Sequence, residues 1–399
     1  MRFQFIPADQ YCDSVRDGTH DTPKPAEHGY KLVTGKHIKN GVIDPSEAYY
    51  ISEEDYDKIN ERSLVEQWDV LMSMIGTVGE TAVVLDHPEY AIKNVALFKC
   101  GGSELRGRWL NYYLKSPSAI GHMTGNQKGS SQQFLSLKQL RALPIAVTDD
   151  KSMQRIIDIL SAYDTLINTN QRQIKLLEEA AQRLYKEWFV DLRYPGHENV
   201  PVVDGVPEGW LKTPFSDRVD VMSGGTPKTS NPEFYNGAIP FYSPKDSDGS
   251  FFAFHTETYI TETGLENCNS KLYPEGTIII TARGTVGKTT ILAVPMAMNQ
   301  SCYALKCDTL SSVYYLFFAL RQEIQALKTM ANGGVFDTII VKTFDRIHLT
   351  TPSSELIERF DHQVSPIMEM IRGLMMTSHQ LSEARDRLLP KLMSGEFAV

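Results

Sequence analysis

Ten residues, Ile156, Leu160, Tyr163, Ile167, Asn170, Ile174, Leu177, Ala181, Leu184 and Trp188, follow one another at spacings that alternate between four and three without a break. A period of about 3.5 is that of a coiled-coil seam, narrower than the stripe of an ordinary amphipathic helix. Shifted by 204 residues, the same register reads Phe360, Val364, Ile367, Ile371, Leu374, Ser378, Leu381, Arg385, Leu388 and Leu392. A long helix with such a seam needs a partner of matching length, and the other copy is the obvious one. Two related units in one chain pack most simply about a pseudo-two-fold axis, which runs their helices antiparallel. Asn170 and Ser378 are polar seam positions, open to two readings: selection of register, or local accommodation.

The helices are the last part of a repeat that covers the chain. "YISEEDY" from Tyr50 matches "YITETGL" from Tyr259, and "DVLMSMIGTVGET" matches "TIIITARGTVGKT". "LNYYLKS" from Leu110 answers "LFFALRQ" from Leu316, and "SLKQLRALPI" from Ser136 answers "IVKTFDRIHL" from Ile340. Each unit holds apolar runs broken by glycine turns, read as strand, turn, strand, together with shorter helical stretches. Between the units, Pro195, Gly196, Pro201, Gly205, Pro207 and Gly209 mark a connection. The expected fold is therefore α/β: two tandem mixed α/β domains, 1–149 and 205–354, separated by two long helices, 150–192 and 355–399, that form an antiparallel coiled coil with pseudo-two-fold symmetry. Residues 193–204 are the linker.

One stretch, "TARGTVGKTTIL" from Thr281, has the look of a phosphate-binding loop. A Walker loop requires G-x-x-x-x-G-K-[ST] followed by a helix. Ala282 stands where the first glycine belongs, and Pro295 interrupts any helix after Thr290. The sister turn, "SMIGTVGETAVV" from Ser73, has Glu80 in place of Lys288, and a glutamate would repel the ligand. The turn is thus read as a fold element carried twice, with Gly76 and Gly79 serving it as Gly284 and Gly287 do.

Composition narrows the function classes. At 399 residues, with 42% hydrophobic and 22% charged residues, the chain suits two or three soluble domains. No apolar run approaches a membrane span and the first residues lack a signal sequence, so a cytoplasmic location is expected. The five cysteines form no C-x-x-C pair or zinc-like spacing, the pattern of reduced structural thiols. A net charge of −9 argues against indiscriminate nucleic-acid binding, while leaving room for a local basic face.

Four stretches carry a family resemblance: "QIKLLEEAAQRLYKEWFVDLRYPG" closing the first helix, "VPEGW" opening the second half, "SGGTPKTSNPEFYNGAIPFYSPKD" after it, and "LSEARDRLLPKLMSGEF" at the C-terminus. With the tandem layout, they make the whole chain resemble the specificity subunit of a type I restriction-modification system. The first half departs from the pattern: it lacks its own "PEGW" and begins almost directly at "FIPADQYCDSVRDGTHDTP", which leaves its first strand open to a different pairing.

The resemblance implies that each globular part is a target-recognition domain reading one half of a bipartite site in double-stranded DNA, and that the helices are the spacer. It implies a non-catalytic subunit that binds two modification subunits, which methylate adenine with S-adenosylmethionine, and through them two ATP-dependent restriction subunits. The residues agree on the absence of chemistry. "NPEF" at Asn231 lacks the second proline of a methyltransferase [DN]-P-P-[YF] stretch, no F-x-G-x-G loop is present, and no metal-ligand spacing occurs. No cofactor is expected in this chain. Helices of about 35 residues span on the order of 50 Å, roughly 15 base pairs, so a non-contacted gap should separate the half-sites. Diverged domains imply an asymmetric site.

Neither domain is basic as a whole: residues 1–149 hold 16 Lys/Arg against 19 Asp/Glu, and residues 205–354 hold 12 against 14. Contacts must come from local clusters in polar and glycine-rich loops. In the first domain these are Lys36, His37 and Lys39, and then Asn126, Gln127, Lys128, Gln132 and Gln133. In the second they are Thr226, Lys228, Ser243, Lys245, Asp246, Arg283, Lys288 and Asn332. Lys and Arg neutralise phosphates or read guanine, and Asn and Gln read adenine. A solvated loop is the competing reading of each residue taken singly. For partner binding the candidates are Tyr185, Trp188 and Phe189 at the end of one helix and Leu388, Leu389 and Leu392 at the end of the other, with local core as the competing reading. Two other classes stay open: a free-standing sequence-specific DNA-binding protein, and, at greater remove, a P-loop nucleotide hydrolase.

Overall fold

A computed structural model describes residues 3–75, 78–124, 135–306, 312–330, 338–397 and 399. The chain divides into two compact units, one made of Met1–Ile167 with Gln380–Val399 and the other of Asn168–His379. The long helices Asp150–Tyr185 and Ser354–Ser394 each contribute residues to both.

In the first unit, apolar runs that are buried along their length at the two central strands make the antiparallel sheet Ser14–Asp17, Val95–Lys99, Val70–Ser73, Thr81–Val83, in that spatial order. The strand Tyr30–Val33 lies between Tyr50–Ile51 and a parallel partner, Tyr90–Ile92. The strand Gln4–Pro7 pairs antiparallel with Pro144–Val147. The helix Glu104–Leu114 is capped by the Ser103 hydroxyl, which accepts the Arg106 N–H. It buries Trp109, whose indole N–H donates to the Ala146 carbonyl at 2.7 Å, so the largest core side chain also satisfies its polar atom.

The second unit repeats this pairing element by element. Asp220–Ser223, Cys302–Lys306, Ile278–Thr281 and Thr289–Leu292 form the same antiparallel order, extended by Phe252–Ala253. The strand Tyr235–Tyr242 lies between Tyr259–Ile260 and the parallel Ala297–Met298. Leu211–Pro214 pairs with His348–Thr351 as Gln4–Pro7 does with Pro144–Val147. The expectation that the first strand of the first half pairs differently is therefore corrected: that pairing needs only the strand itself, and the missing "PEGW" precedes it. Tyr315, on the helix Val313–Met330, donates its hydroxyl to the Thr350 carbonyl at 2.7 Å, standing in for the Trp109 contact.

All twenty seam positions are buried or half-buried. In the first unit Ile156 and Leu160 share a core with Leu389, Leu392 and Met393. In the second, Ala181, Tyr185 and Trp188 share one with Phe360, Val364, Met368 and Ile371. The rings of Tyr185 and Trp188 both meet that of Phe360, with centroids 6.0 and 5.9 Å apart, so the end of the first long helix lies beside the start of the second. The first helix closes with a π-turn at Lys186–Val190. The Ser378 hydroxyl donates to the Leu374 carbonyl one turn back at 2.8 Å, a local accommodation of a polar seam residue.

Candidate nucleic-acid interface

The duplicated glycine turn is built by the same three hydrogen bonds in each unit. Gly79 N–H donates to the Ser73 carbonyl at 3.0 Å, and Gly287 N–H to the Thr281 carbonyl at 2.8 Å. Ser73 N–H donates to the Glu80 carbonyl at 2.9 Å, and Thr281 N–H to the Lys288 carbonyl at 2.9 Å. Glu80 N–H donates to the Ser73 hydroxyl at 3.0 Å, and Lys288 N–H to the Thr281 hydroxyl at 3.1 Å. The hydroxyl before the turn escapes sequence reasoning, although Ser73 and Thr281 align at the offset of the turn itself. Gly79 and Gly287 have φ of +98° and +77°, a region costly for any residue with a Cβ. Gly76 lies outside the described residues. A strand, Thr289–Leu292, follows Lys288 where a phosphate cradle needs a helix.

A second element packs against each turn. Residues Gly35–His37 form a short 3₁₀ turn in which Thr34 N–H donates to His37 Nδ1 at 2.9 Å. Residues Pro244–Asp246 form the equivalent turn, in which Ser243 N–H donates to Asp246 Oδ2 at 2.8 Å. A Cβ on Gly35 would lie 3.4 Å from the Ile75 carbonyl, which places this element on the glycine turn of its own unit. Correspondingly, the Thr285 hydroxyl donates to the Pro244 carbonyl at 3.3 Å, and the Lys288 ammonium to the Ser247 carbonyl at 2.9 Å. Two clusters far apart in the chain, "TGKHIKNG" and "YSPKD", are thus one element in two copies. Lys36 and Lys245 occupy matching positions, both exposed, as is Lys39.

The neighbours at matching positions differ in charge. His37 is buried, with Nε2 lacking a partner among the described residues. Burial, helped by the Lys36 charge, holds its pKa below the ordinary 6.5, so the ring is neutral. Asp246 in the same place is committed within the chain: Oδ2 also accepts the Ser243 hydroxyl at 2.8 Å, and Oδ1 accepts the Glu257 N–H at 2.7 Å. Exposed Ile75 and half-buried Glu80 stand opposite exposed Arg283 and half-buried Lys288.

The remaining candidates fall in several places. Thr226 and Lys228 are exposed on a loop anchored by Gly225 N–H on the Met298 carbonyl at 3.1 Å, with the Thr226 hydroxyl bonded to Gln300. Asn126, Gln127, Lys128, Gln132, Gln133 and Asn332 lie outside the described residues. Tyr185 and Trp188 are buried, and Phe189 is half-buried among Trp210, Tyr315 and Phe360. Leu389 and Leu392 are buried and Leu388 packs against the same core. Their burial is what the local-core reading of these aromatics and leucines describes. Among the described residues there is no group of three or more His, Cys, Asp or Glu able to hold a metal, and no helix long and apolar enough to cross a membrane.

Residues 207–369 match the family model of the type I restriction modification DNA specificity domain. The chain is 27% identical, over 337 residues, to the HindI specificity subunit of Haemophilus influenzae, covering 69% of this chain and 73% of that one. It is 24% identical, over 299 residues, to the MjaIX specificity subunit of Methanocaldococcus jannaschii, covering 73% and 69%. Its fold is similar to the crystal structure of a type I restriction-modification S subunit from M. genitalium, with a TM-score of 0.57 at 14% identity over 98% of this chain and 96% of that one.

Proposed function

The chain belongs to the family of type I restriction-modification specificity subunits, and on that premise we propose that it is the non-catalytic, DNA-reading subunit of such a complex. Each unit reads one half of a bipartite site, through domains at 1–149 and 205–354. The observation that carries this reading is the recurrence of one hydrogen-bonded turn with its packed 3₁₀ element, alike in hydrogen bonds and different in side chains. A shared backbone preserves the platform. Unlike residues on it, Ile75 and Glu80 against Arg283 and Lys288, suit two unlike half-sites.

The long helices then act as an antiparallel spacer related by a pseudo-two-fold axis. At 1.5 Å per residue, the 36 residues of Asp150–Tyr185 extend on the order of 54 Å, roughly 16 base pairs of B-DNA. Two modification subunits supply the adenine methylation and recruit the restriction subunits. They dock at the helix ends, where Tyr185, Trp188, Phe189, Leu388, Leu389 and Leu392 act by holding the shape of the surface. Genome-wide mapping of methylated adenines in the host, with and without this chain, tests the proposal. An asymmetric gapped motif that vanishes with the chain supports it, and an unchanged methylation pattern refutes it. The free-standing DNA-binding alternative requires tight site-specific binding by the isolated chain.

A further inference from the structure

The helix Val313–Met330 brings a cation to the glycine turn of the second unit that neither the turn nor its flanking strands contain. A Cβ at Gly287 would lie 3.0 Å from the Lys328 ammonium and 2.7 Å from Ile324 Cγ2, so the bare backbone is what lets Lys328 lie across the turn. Lys288 is the next residue along, and its ammonium reaches back to the Ser247 carbonyl. Arg283 is exposed on the same turn and makes no hydrogen bond or ion pair among the described residues. Lys328 likewise has no ion pair among them. Its pKa is lowered by burial and then by the positive charges of Arg321 and Lys288, with no carboxylate acting against them.

The helix dipole does not account for this placement: it favours a cation in the last turn, but equally well on a side facing solvent. Arg321 is committed to the core: it lies over the rings of Phe251 and Phe317, and Glu178 is its acidic neighbour. That leaves Arg283, Lys288 and Lys328 on or beside one turn, with the Lys288 charge acting against that of Lys328, a cost which a bound anion would remove. Among the described residues, the matching positions of the first unit hold no such group. Ile75 and Glu80 occupy the turn positions, and the residue 206 positions before Lys328 is His122, on a separate helix, Pro117–Thr124, that Pro117 begins.

We propose that Lys328, with Arg283 and Lys288, forms a phosphate-binding collar at the glycine turn of the second unit, a source of salt-dependent DNA affinity at that half-site. This rests on the reading of the chain as a DNA-recognition subunit. Lys328 contacts backbone phosphate and carries no base information, so its loss weakens binding to every sequence alike.

The test uses the full chain assembled with its modification subunits and a fluorescent duplex bearing the site mapped from methylated adenines, titrated across salt concentrations. Lys328→Gln should lower the slope of log affinity against log salt by about 0.9, one phosphate contact, and weaken the cognate and a scrambled duplex by the same factor. Lys328→Arg should keep the wild-type slope. A wild-type slope in Lys328→Gln with unchanged melting temperature overturns the proposal, as does a weakened slope in Lys328→Arg. Failure of the underlying reading has a different signature: the wild-type complex would not discriminate the cognate duplex from the scrambled one.

Discussion

Arg385 donates from Nη1 to Asp164 Oδ1 at 2.6 Å, joining residues 221 positions apart in the chain. The other carboxylate oxygen, Oδ2, accepts the Tyr112 hydroxyl at 2.6 Å. Asp164 therefore ties the helix Glu104–Leu114 and the two long helices together within the first unit. Burial alone would lower the Arg385 pKa; the hydrogen bonds and charges of Asp164 and then Asp386 outweigh it and raise it. Arg385→Ala leaves a half-buried carboxylate short of its cation and should destabilise the protein by about 1–3 kcal/mol. Urea denaturation of Arg385→Ala, Asp164→Ala and the double variant checks this. Additive losses would mean that the pair contributes nothing as a pair.

The two glycine turns should respond unequally to one methyl group. At Gly79 a Cβ meets nothing within 4 Å, so Gly79→Ala meets only the left-handed backbone cost, roughly 1–2 kcal/mol. At Gly287 the same Cβ also collides with Ile324 and Lys328, and Gly287→Ala should lower the melting temperature further. Equal shifts would contradict the packing of the helix on the turn.

Removing the hydroxyl before the turn should loosen it. Thr281→Val keeps the shape and leaves the Lys288 N–H without its side-chain acceptor, a loss of about 1 kcal/mol. Ser73→Ala does the same at Glu80. Faster amide exchange at Lys288 or Glu80 in the matching variant, and not in the other, is the expected readout.

His37 gives the first unit a pH dependence of known sign. Its folded pKa lies below the ordinary 6.5, so the unfolded chain takes up a proton more readily than the folded one. Its contribution is therefore fully present above that ordinary value and is lost as pH falls toward the folded value. Lowering the pH from about 7.5 to about 5.5 should destabilise the wild type more than His37→Gln, as read from urea midpoints. Identical pH profiles would show the ring to be solvated.

Inserting one heptad into both long helices, in register, lengthens each by about 10 Å, on the order of three base pairs. The methylated motif should keep its two half-sites and widen its gap by that amount. An unchanged gap would remove the spacer role.

The seam and the paired turns were legible because each follows from a local period: spacings of four and three from Ile156 to Trp188, and apolar runs broken by glycine at Gly79 and Gly287. The kinship of the two 3₁₀ turns was not, since Thr34 and His37 on one side and Ser243 and Asp246 on the other share hydrogen-bond geometry and no letters. Lys328 was invisible for a related reason. Its place over Gly287 depends on how a helix residue 41 positions downstream packs, which no local pattern encodes. The aromatics at Tyr185 and Trp188 were ambiguous, because core and interface call for the same residues.

The core of the first unit includes Leu389, Leu392 and Met393 beside Trp109 and Leu160. On the ribosome, residues 1–167 emerge first, yet that core cannot close until residues 380–399 have been made. The second unit, Asn168–His379, is complete in the nascent chain before them. Synthesis order and folding order are thus opposed. Residues 1–167 must wait, with apolar surface uncovered, for residues 380–399, and holdase chaperones should engage the nascent chain for that interval.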